Sequence, residues 1–436
     1  MREVPDPEEL IETPPVGEAA PPRSEKPHDP YAALRFGEYR LYVLGNTAIN
    51  IGSNMQSVAV GWELYERTGA AMALGWVGLV QAVPIMLLAI PSGQLADRMD
   101  RRRIILMGQL VMAACSLGLA LVSYMQGPVA WMYAMLLLGS VGRAALWPAG
   151  QALLPQLVPL EAFGSAVTWR STAFQIASVA GPALGGFMIG LQHTATWVYV
   201  VDAALAAVNC YCICRIKPRP VTRTGEAASL KTLLAGFRYV RDNKLILAAL
   251  TLDLFAVLLG GATALLPIYA KDILRVGPMG LGWLRAAPAV GAFCMAVTLS
   301  HLPPLRRAGR ALLLAVTAFG AVTIVFGLST WFWLSLLMLA CCGAADNISV
   351  VIRHSLVQLG TPDDMRGRVS AVNSVFISAS NELGSFESGL VARFFGPVMS
   401  VVSGGIGTIV VVALAAWIWP EIRKLQKLGD RLRANL

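Results

Sequence analysis

The chain has 436 residues, 56% of them hydrophobic and 14% charged, with a mean hydropathy of +0.60. A soluble globular protein carries about 25% charged residues, so a soluble fold would leave this chain with an apolar surface that water does not tolerate. The net charge of +9 does not point to nucleic acid either, because the basic residues sit between apolar runs instead of clustering with stacking aromatics.

In chain order, residues 1–35 are rich in proline and acidic side chains and too polar to bury a core. They are expected to form a disordered tail, and they lack the pattern of a secretory signal. Apolar runs then follow one another. No Asp, Glu, Lys or Arg interrupts 104–142, 171–201, 311–345 or 394–420, and a bilayer span needs about 20 such residues. Bounding the runs by charge, Gly/Pro or polar turns predicts spans at 38–64, 71–96, 103–125, 129–150, 164–190 and 195–216. A second set falls at 245–270, 280–301, 310–328, 331–352, 368–394 and 397–420. The expected organisation is a tail (1–35), a six-helix bundle (36–216), a linker (217–244), a second six-helix bundle (245–420) and a basic tail (421–436). In the linker, Leu230, Leu233, Leu234, Phe237 and Val240 recur at helical spacing. That pattern predicts an amphipathic helix on the inner membrane surface.

Basic residues resist translocation, so their distribution sets orientation. With the N-terminus inside, only Arg67, Lys271, Arg275 and Arg393 face outwards, while the linker, the even-numbered loops and both tails collect nearly all the rest. An odd number of spans would put the basic C-terminal tail outside, so the count is even and both termini are expected in the cytoplasm. The halves echo each other. Leu74-Gly75-Trp76-Val77 returns as Leu281-Gly282-Trp283-Leu284, and the stretch from Leu157 to Gly164 parallels that from Leu359 to Gly367. Repeats of this kind commonly hold the substrate between them. The expected fold is therefore an all-α polytopic membrane protein with twelve transmembrane helices in two pseudo-symmetric six-helix bundles.

Between the second and third spans the chain reads Gly93-Gln94-Leu95-Ala96-Asp97-Arg98-Met99-Asp100-Arg101-Arg102-Arg103. Gly93 permits close helix approach, and Asp97 with Arg98, Arg101 and Arg102 can form a breakable latch at the inner helix ends. This segment resembles the signature of the major facilitator superfamily, with Asp100 where the signature has its last glycine. The fifth span holds Gly181-Pro182-Ala183-Leu184-Gly185-Gly186, similar to a motif of the superfamily's antiporters. Its proline removes a backbone hydrogen bond and its glycines admit close packing, which suits a pliable contact between halves. Ile51-Gly52-Ser53-Asn54-Met55-Gln56, Thr68-Gly69 and the run from Thr361 to Val369 resemble the branch holding enterobactin exporters and macrolide efflux proteins. The resemblance implies the twelve-helix fold and outward export of a bulky, often amphipathic product.

Ionisable residues inside spans are costly and mark function or helix ties. Here they are Arg143, Arg170, Asp202, Asp253, Arg285, Asp346, Glu382 and Glu387. The resemblance implies that the first, fourth, seventh and tenth helices line the cavity, and these carry Asn50, Arg143, Asp253 and Asp346. Asn46, Asn50 and Asn54 recur every fourth residue, giving a polar stripe. Asn50, Asn54, Arg143, Asp253, Asp346 and Glu382 are the expected substrate and proton path. Arg143 and Asp346 stand 203 positions apart, as do Asn50 and Asp253. Pseudo-twofold symmetry would set Arg143 and Asp346 on opposing walls, meeting when the inner side closes, and leave Asp253 without an obvious partner.

No phosphate-cradling Gly-x-x-x-x-Gly-Lys-Ser/Thr occurs, so a gradient or a partner is the expected energy source, and the antiporter resemblance implies H+ as the coupling ion. The four histidines are far apart and Cys210, Cys212 and Cys214 alternate around a helix, so neither a metal, a cofactor nor an enzyme is expected. The expected partners are a small-molecule substrate and the lipid of a bacterial plasma membrane, with the chain working as a monomer. A non-transporting receptor or assembly subunit on the same scaffold, or a facilitator or importer of the same fold, are the alternatives.

Overall fold

A computed structural model describes residues 29–217, 230–303 and 307–425. Among these residues the chain is helical, with no strand. The first half comprises α1 (Gly37–Thr68), α2 (Ala71–Arg98), α3 (Arg101–Tyr124), α4 (Val129–Leu153), α5 (Phe163–Gln192) and α6 (Thr196–Arg215). After α7 (Leu230–Asp242), the second half comprises α8 (Lys244–Leu259), the short α9 (Leu266–Ile268), α10 (Gly277–His301), α11 (Ala308–Leu328), α12 (Phe332–Gly360), α13 (Asp363–Phe395) and α14 (Pro397–Ile418). A short α15 (Pro420–Lys424) ends the described chain. Ten of these stretches are long and apolar enough to cross a membrane, with α8, α9 and their connecting turns, Lys244–Ile273, as one of them. The other two spans, α1 and α13, are 32 and 33 residues long but more polar, because they carry residues of the interior between the halves.

The helix ends follow from local chemistry. Gly69 (φ 61°) and His193 (φ 55°) take the left-handed conformation that stops α1 and α5. The Asp100 carboxylate accepts the Arg102 backbone N–H at 2.9 Å and so caps α3. The side chain that departs from the signature glycine thus starts the next helix.

Several boundaries differ from the sequence expectation. The seventh span does not run unbroken over 245–270. It stops at Gly260-Gly261, passes through a 3-10 turn (Ala262–Leu265) and ends in a π-helical segment (Tyr269–Ile273). Two consecutive glycines and Pro267 account for the break. The tenth span continues eight residues past 352, to Gly360, because its last turns pack against α8 and α13 inside the bundle. Both expected tails are partly docked: Pro30 O accepts from Ser165 Oγ (2.6 Å) and Trp169 Nε1 (3.0 Å), and Gly309 packs directly on the Ile422 carbonyl. The rest of both tails, 1–28 and 426–436, and the linker residues 218–229 lie outside the described residues.

Two sides of the bundle can be defined by where α1 begins, the N-side, and where it ends, the far side. On the far side one apolar core runs through both halves, joining Met55, Leu64, Leu74 and Ile189 to Leu265, Tyr269, Leu281 and Leu284. On the N-side each half keeps its own cores, around Leu153 and Ile213 in the first and around Leu252, Leu312, Leu250 and Val369 in the second. The halves are therefore fused at the far side and separate toward the N-side.

Candidate functional site

Charged side chains from three helices converge where the halves meet. Arg285 of α10 donates to Ser57 Oγ of α1 at 2.8 Å, tying the second half to the first. Arg143 of α4 donates to Gln81 Oε1 of α2 at 3.4 Å. Glu382 of α13 lies within electrostatic reach of both arginines. Its backbone carbonyl abuts Gly78 of α2 so closely that a methyl group there would not fit. All three charged side chains are only partly buried. The cluster holds one acid between two bases drawn from opposite halves.

Each half also holds a small cavity. One is lined by Gln56, Gln81, Ser116 and Arg143 between α1, α2, α3 and α4. The other is lined by Asp253, Phe319, Asp346 and Ser349 between α8, α11 and α12. The two cavities occupy equivalent positions, since Arg143 and Asp346, and Ser116 and Phe319, are each 203 residues apart. Beside the first cavity, Gln56 Nε2 donates to Ser116 Oγ (2.9 Å), which donates to Asp202 Oδ2 (2.6 Å). Asp202 is buried, and Arg143 lies within its electrostatic reach.

The predicted path residues divide among these sites. Arg143 joins the cross-half cluster with Glu382, whereas Asp346 shares the second cavity with Asp253. In this state Arg143 and Asp346 line different cavities. Asp253 does have a partner: it forms a buried ion pair with Arg353 of α12. Two asparagines of the α1 stripe bond back to their own helix, Asn50 Nδ2 to Asn46 O (2.6 Å) and Asn54 Nδ2 to Asn50 O (2.8 Å). Asn54 also packs against Gly181. The α5 motif faces two ways. Gly181 and Gly185 seat α1 of the same half, while Pro182 and Gly186 meet Gly282 and Pro278 of α10 across the halves.

At the predicted latch, Arg101 Nη1 donates to Ala152 O at the end of α4 (2.8 Å) and Arg102 Nη2 to Cys214 O at the end of α6 (2.7 Å). Both guanidinium groups satisfy carbonyls at helix C-termini, where positive charge is favoured. Gly93 is half-buried in α2. The side chains of Asp97 and Arg98 lie outside the described residues.

Three features are absent from the sequence expectation. Glu63 and Arg67, one helical turn apart, form an ion pair (2.6 Å), with Tyr199 Oη donating to Glu63 (2.8 Å) and Arg67 to the Gly127 and Ser123 carbonyls (3.0 and 3.2 Å). An acid inside a span with a base four residues on is a readable signal. Arg353 lies one residue past the expected end of its span, which hides it among loop residues. Tyr65 donates across the halves to Asp272 in the π-helical segment, a contact with no sequence signal, although such segments occur often at functional positions. Among the described residues, no group of His, Cys, Asp and Glu could hold a metal ion.

Comparisons with known proteins agree with this architecture. The chain is 24% identical over 404 residues to the enterobactin exporter EntS of Escherichia coli (strain SMS-3-5 / SECEC), covering 91% of this chain and 95% of that protein. It is 24% identical over 406 residues to EntS of Shigella flexneri, with the same coverage. Among solved structures, a bacterial homolog of the human lysosomal transporter Spinster, inward-facing and occupied, superposes with a TM-score of 0.70 at 15% identity, covering 91% of this chain and 99% of that one. The nucleoside transporter NupG gives 0.66 at 13% identity, covering 89% and 100%. The family model described as transmembrane secretion effector matches residues 28–429, and the chain belongs to that family of the major facilitator superfamily, a multi-pass membrane transporter.

Proposed function

We propose that the chain exports a small amphipathic molecule, siderophore-like or drug-like, across a bacterial inner membrane in exchange for protons, with both termini in the cytoplasm. The observation that carries this reading is the Arg143, Arg285 and Glu382 cluster, contributed by both halves and lying beneath a closed far side. With the N-side as the cytoplasmic face, this state takes cargo from the cytoplasm. Rocking of the halves then presents it outside. In this reading Asn50, Asn54, Arg143, Asp253, Asp346 and Glu382 line the path of substrate and proton. Gly93, Asp97, Arg98, Arg101 and Arg102 form the gate that closes the N-side in the alternate state. Gly181, Pro182, Gly185 and Gly186 let α5 pivot between its two neighbours.

The two acids of the second cavity are not equivalent as proton carriers. Arg353 holds the Asp253 carboxylate, whereas Asp346 has no ion-pair partner among the described residues. Asp346 is therefore the carrier of choice. Everted vesicles containing the chain, energised to an acid interior, should accumulate enterobactin or erythromycin above vesicles lacking it. Equal accumulation of both compounds in the two preparations would overturn the cargo class. Substrate-driven proton release from the purified protein should vanish in Asp346→Asn and persist in Asp253→Leu/Arg353→Met, which removes both members of the buried ion pair. Unaltered release in both would remove these acids and leave Glu382.

A further inference from the structure

The linker helix α7 has two faces with different chemistry. One is docked. Gly236 lies against the Arg368 carbonyl of α13 with no room for a side chain, and Val240 is buried among Ile246, Leu250, Val357 and Val369. Tyr239 Oη donates to Gly360 O, the last carbonyl of α12, at 2.9 Å. These contacts fix α7 across the N-side ends of α8, α12 and α13.

The opposite face carries Leu234, Phe237, Arg238 and Arg241, spaced i, i+3, i+4 and i+7, which is a single stripe along a helix. All four are exposed, Leu234 at 57% and Phe237 at 45%. Phe237 is stacked at 6.5 Å on Phe376 of α13 and leaves the rest of its ring open. Two large apolar side chains interleaved with two guanidinium groups suit a boundary between hydrocarbon and headgroups, where the long arms of arginine reach outward to charge. The stripe is too narrow for a stable protein partner, which needs about 800 Å² per side. Its neighbour Asp242 lies 3.5 Å from Arg241, but both are exposed, so the pair leaves the guanidinium available.

We propose that this stripe binds the headgroups of anionic phospholipid, with Leu234 and Phe237 inserted at the acyl boundary and Arg238 and Arg241 on the lipid phosphates. Because the docked face of α7 holds the first turns of α13, headgroup binding also steadies the N-side end of the helix that carries Glu382.

The test uses the full-length purified chain in detergent and follows its thermal unfolding during titration with phosphatidylglycerol or phosphatidylcholine. Phosphatidylglycerol should stabilise the protein at lower concentration than phosphatidylcholine. In Arg238→Gln/Arg241→Gln its half-saturating concentration should rise about 30-fold, the effect of two basic residues at an anionic surface. Arg238→Lys/Arg241→Lys, which keeps the charge, should retain the preference and guards against a variant that fails to fold. Equal responses to the two lipids, a preference that survives in the Gln variant, or the same stabilisation by inorganic phosphate alone would overturn the proposal.

Discussion

Arg353 makes a buried carboxylate tolerable. Asp253 sits in α8 with almost no exposure, and its charge is met by a guanidinium on α12 that is equally buried. Burying an ion pair gains little over two well-packed apolar residues, but removing one partner strands the other. Arg353→Met should therefore destabilise the protein by about 3–5 kcal/mol. Arg353→Met combined with Asp253→Leu should recover most of that loss. Thermal unfolding of the single and double variants measures it, and a double variant no better than the single would show that the pair is not the cause. The acid was legible in the sequence because an ionisable residue in an apolar run is costly. Its partner was not, because one residue of uncertainty at a span end decided whether Arg353 belonged to a loop or to the interior. Glu63 shows the complementary case: the spacing to Arg67 was present in the sequence, but the burial that makes the pair matter came only from the packing of α1 against α6.

At the scale of the helix, α5 shows how one motif can serve two contacts. Gly185 and Gly186 are adjacent, so their missing side chains point about 100° apart, the first toward Met55 of α1 and the second toward α10. Gly185→Val should clash within the first half and lower stability, by about 1–3 kcal/mol for overpacking of a tight interior. Gly186→Val should leave that half intact but prevent α5 and α10 from closing, giving a folded protein with little transport. Unfolding curves paired with vesicle uptake separate the two outcomes, and identical phenotypes would refute the division of labour. The motif itself was readable, but its two-way use depended on helix phase. The same limit applies to the seventh span, whose apolar composition reads as a continuous helix. Only the packing of Gly261 against Gly384 and Ser388 of α13 shows why the chain leaves α-helical form there.

For the whole molecule, the far side is closed by apolar packing and, among the described residues, by polar contacts between the halves that include Tyr65 to Asp272 and Arg285 to Ser57. A hydrogen bond to a charged group contributes about 1.5 kcal/mol or more, roughly a tenfold change in an equilibrium. Tyr65→Phe should raise the population open at the far side about tenfold. Electron spin resonance distances between labels at Gln126 and Thr330, exposed on opposite halves, would report it; an unchanged distribution would exclude the bridge as a closing element. The span count, the two halves and the linker helix's spacing could be read from hydropathy and charge, since the bilayer leaves the backbone few alternatives. Which helices touch across the halves could not, because that depends on the state in which the protein rests. The Arg143, Arg285 and Glu382 cluster has an electrical consequence as well. With Glu382 ionised it carries one net positive charge, and when the far side is closed the voltage across the membrane falls mainly beyond it. Opening the far side would transfer that fall to the N-side, so the opening step moves about one charge through the field without moving it far in space, and the return step moves it back. At about 2.3 kcal/mol per charge per 100 mV, a potential of about 100 mV, negative on the N-side, would favour the state described here by roughly fiftyfold, so voltage biases the resting state of the halves, although the cluster returns to its start in each full cycle and adds no net driving force.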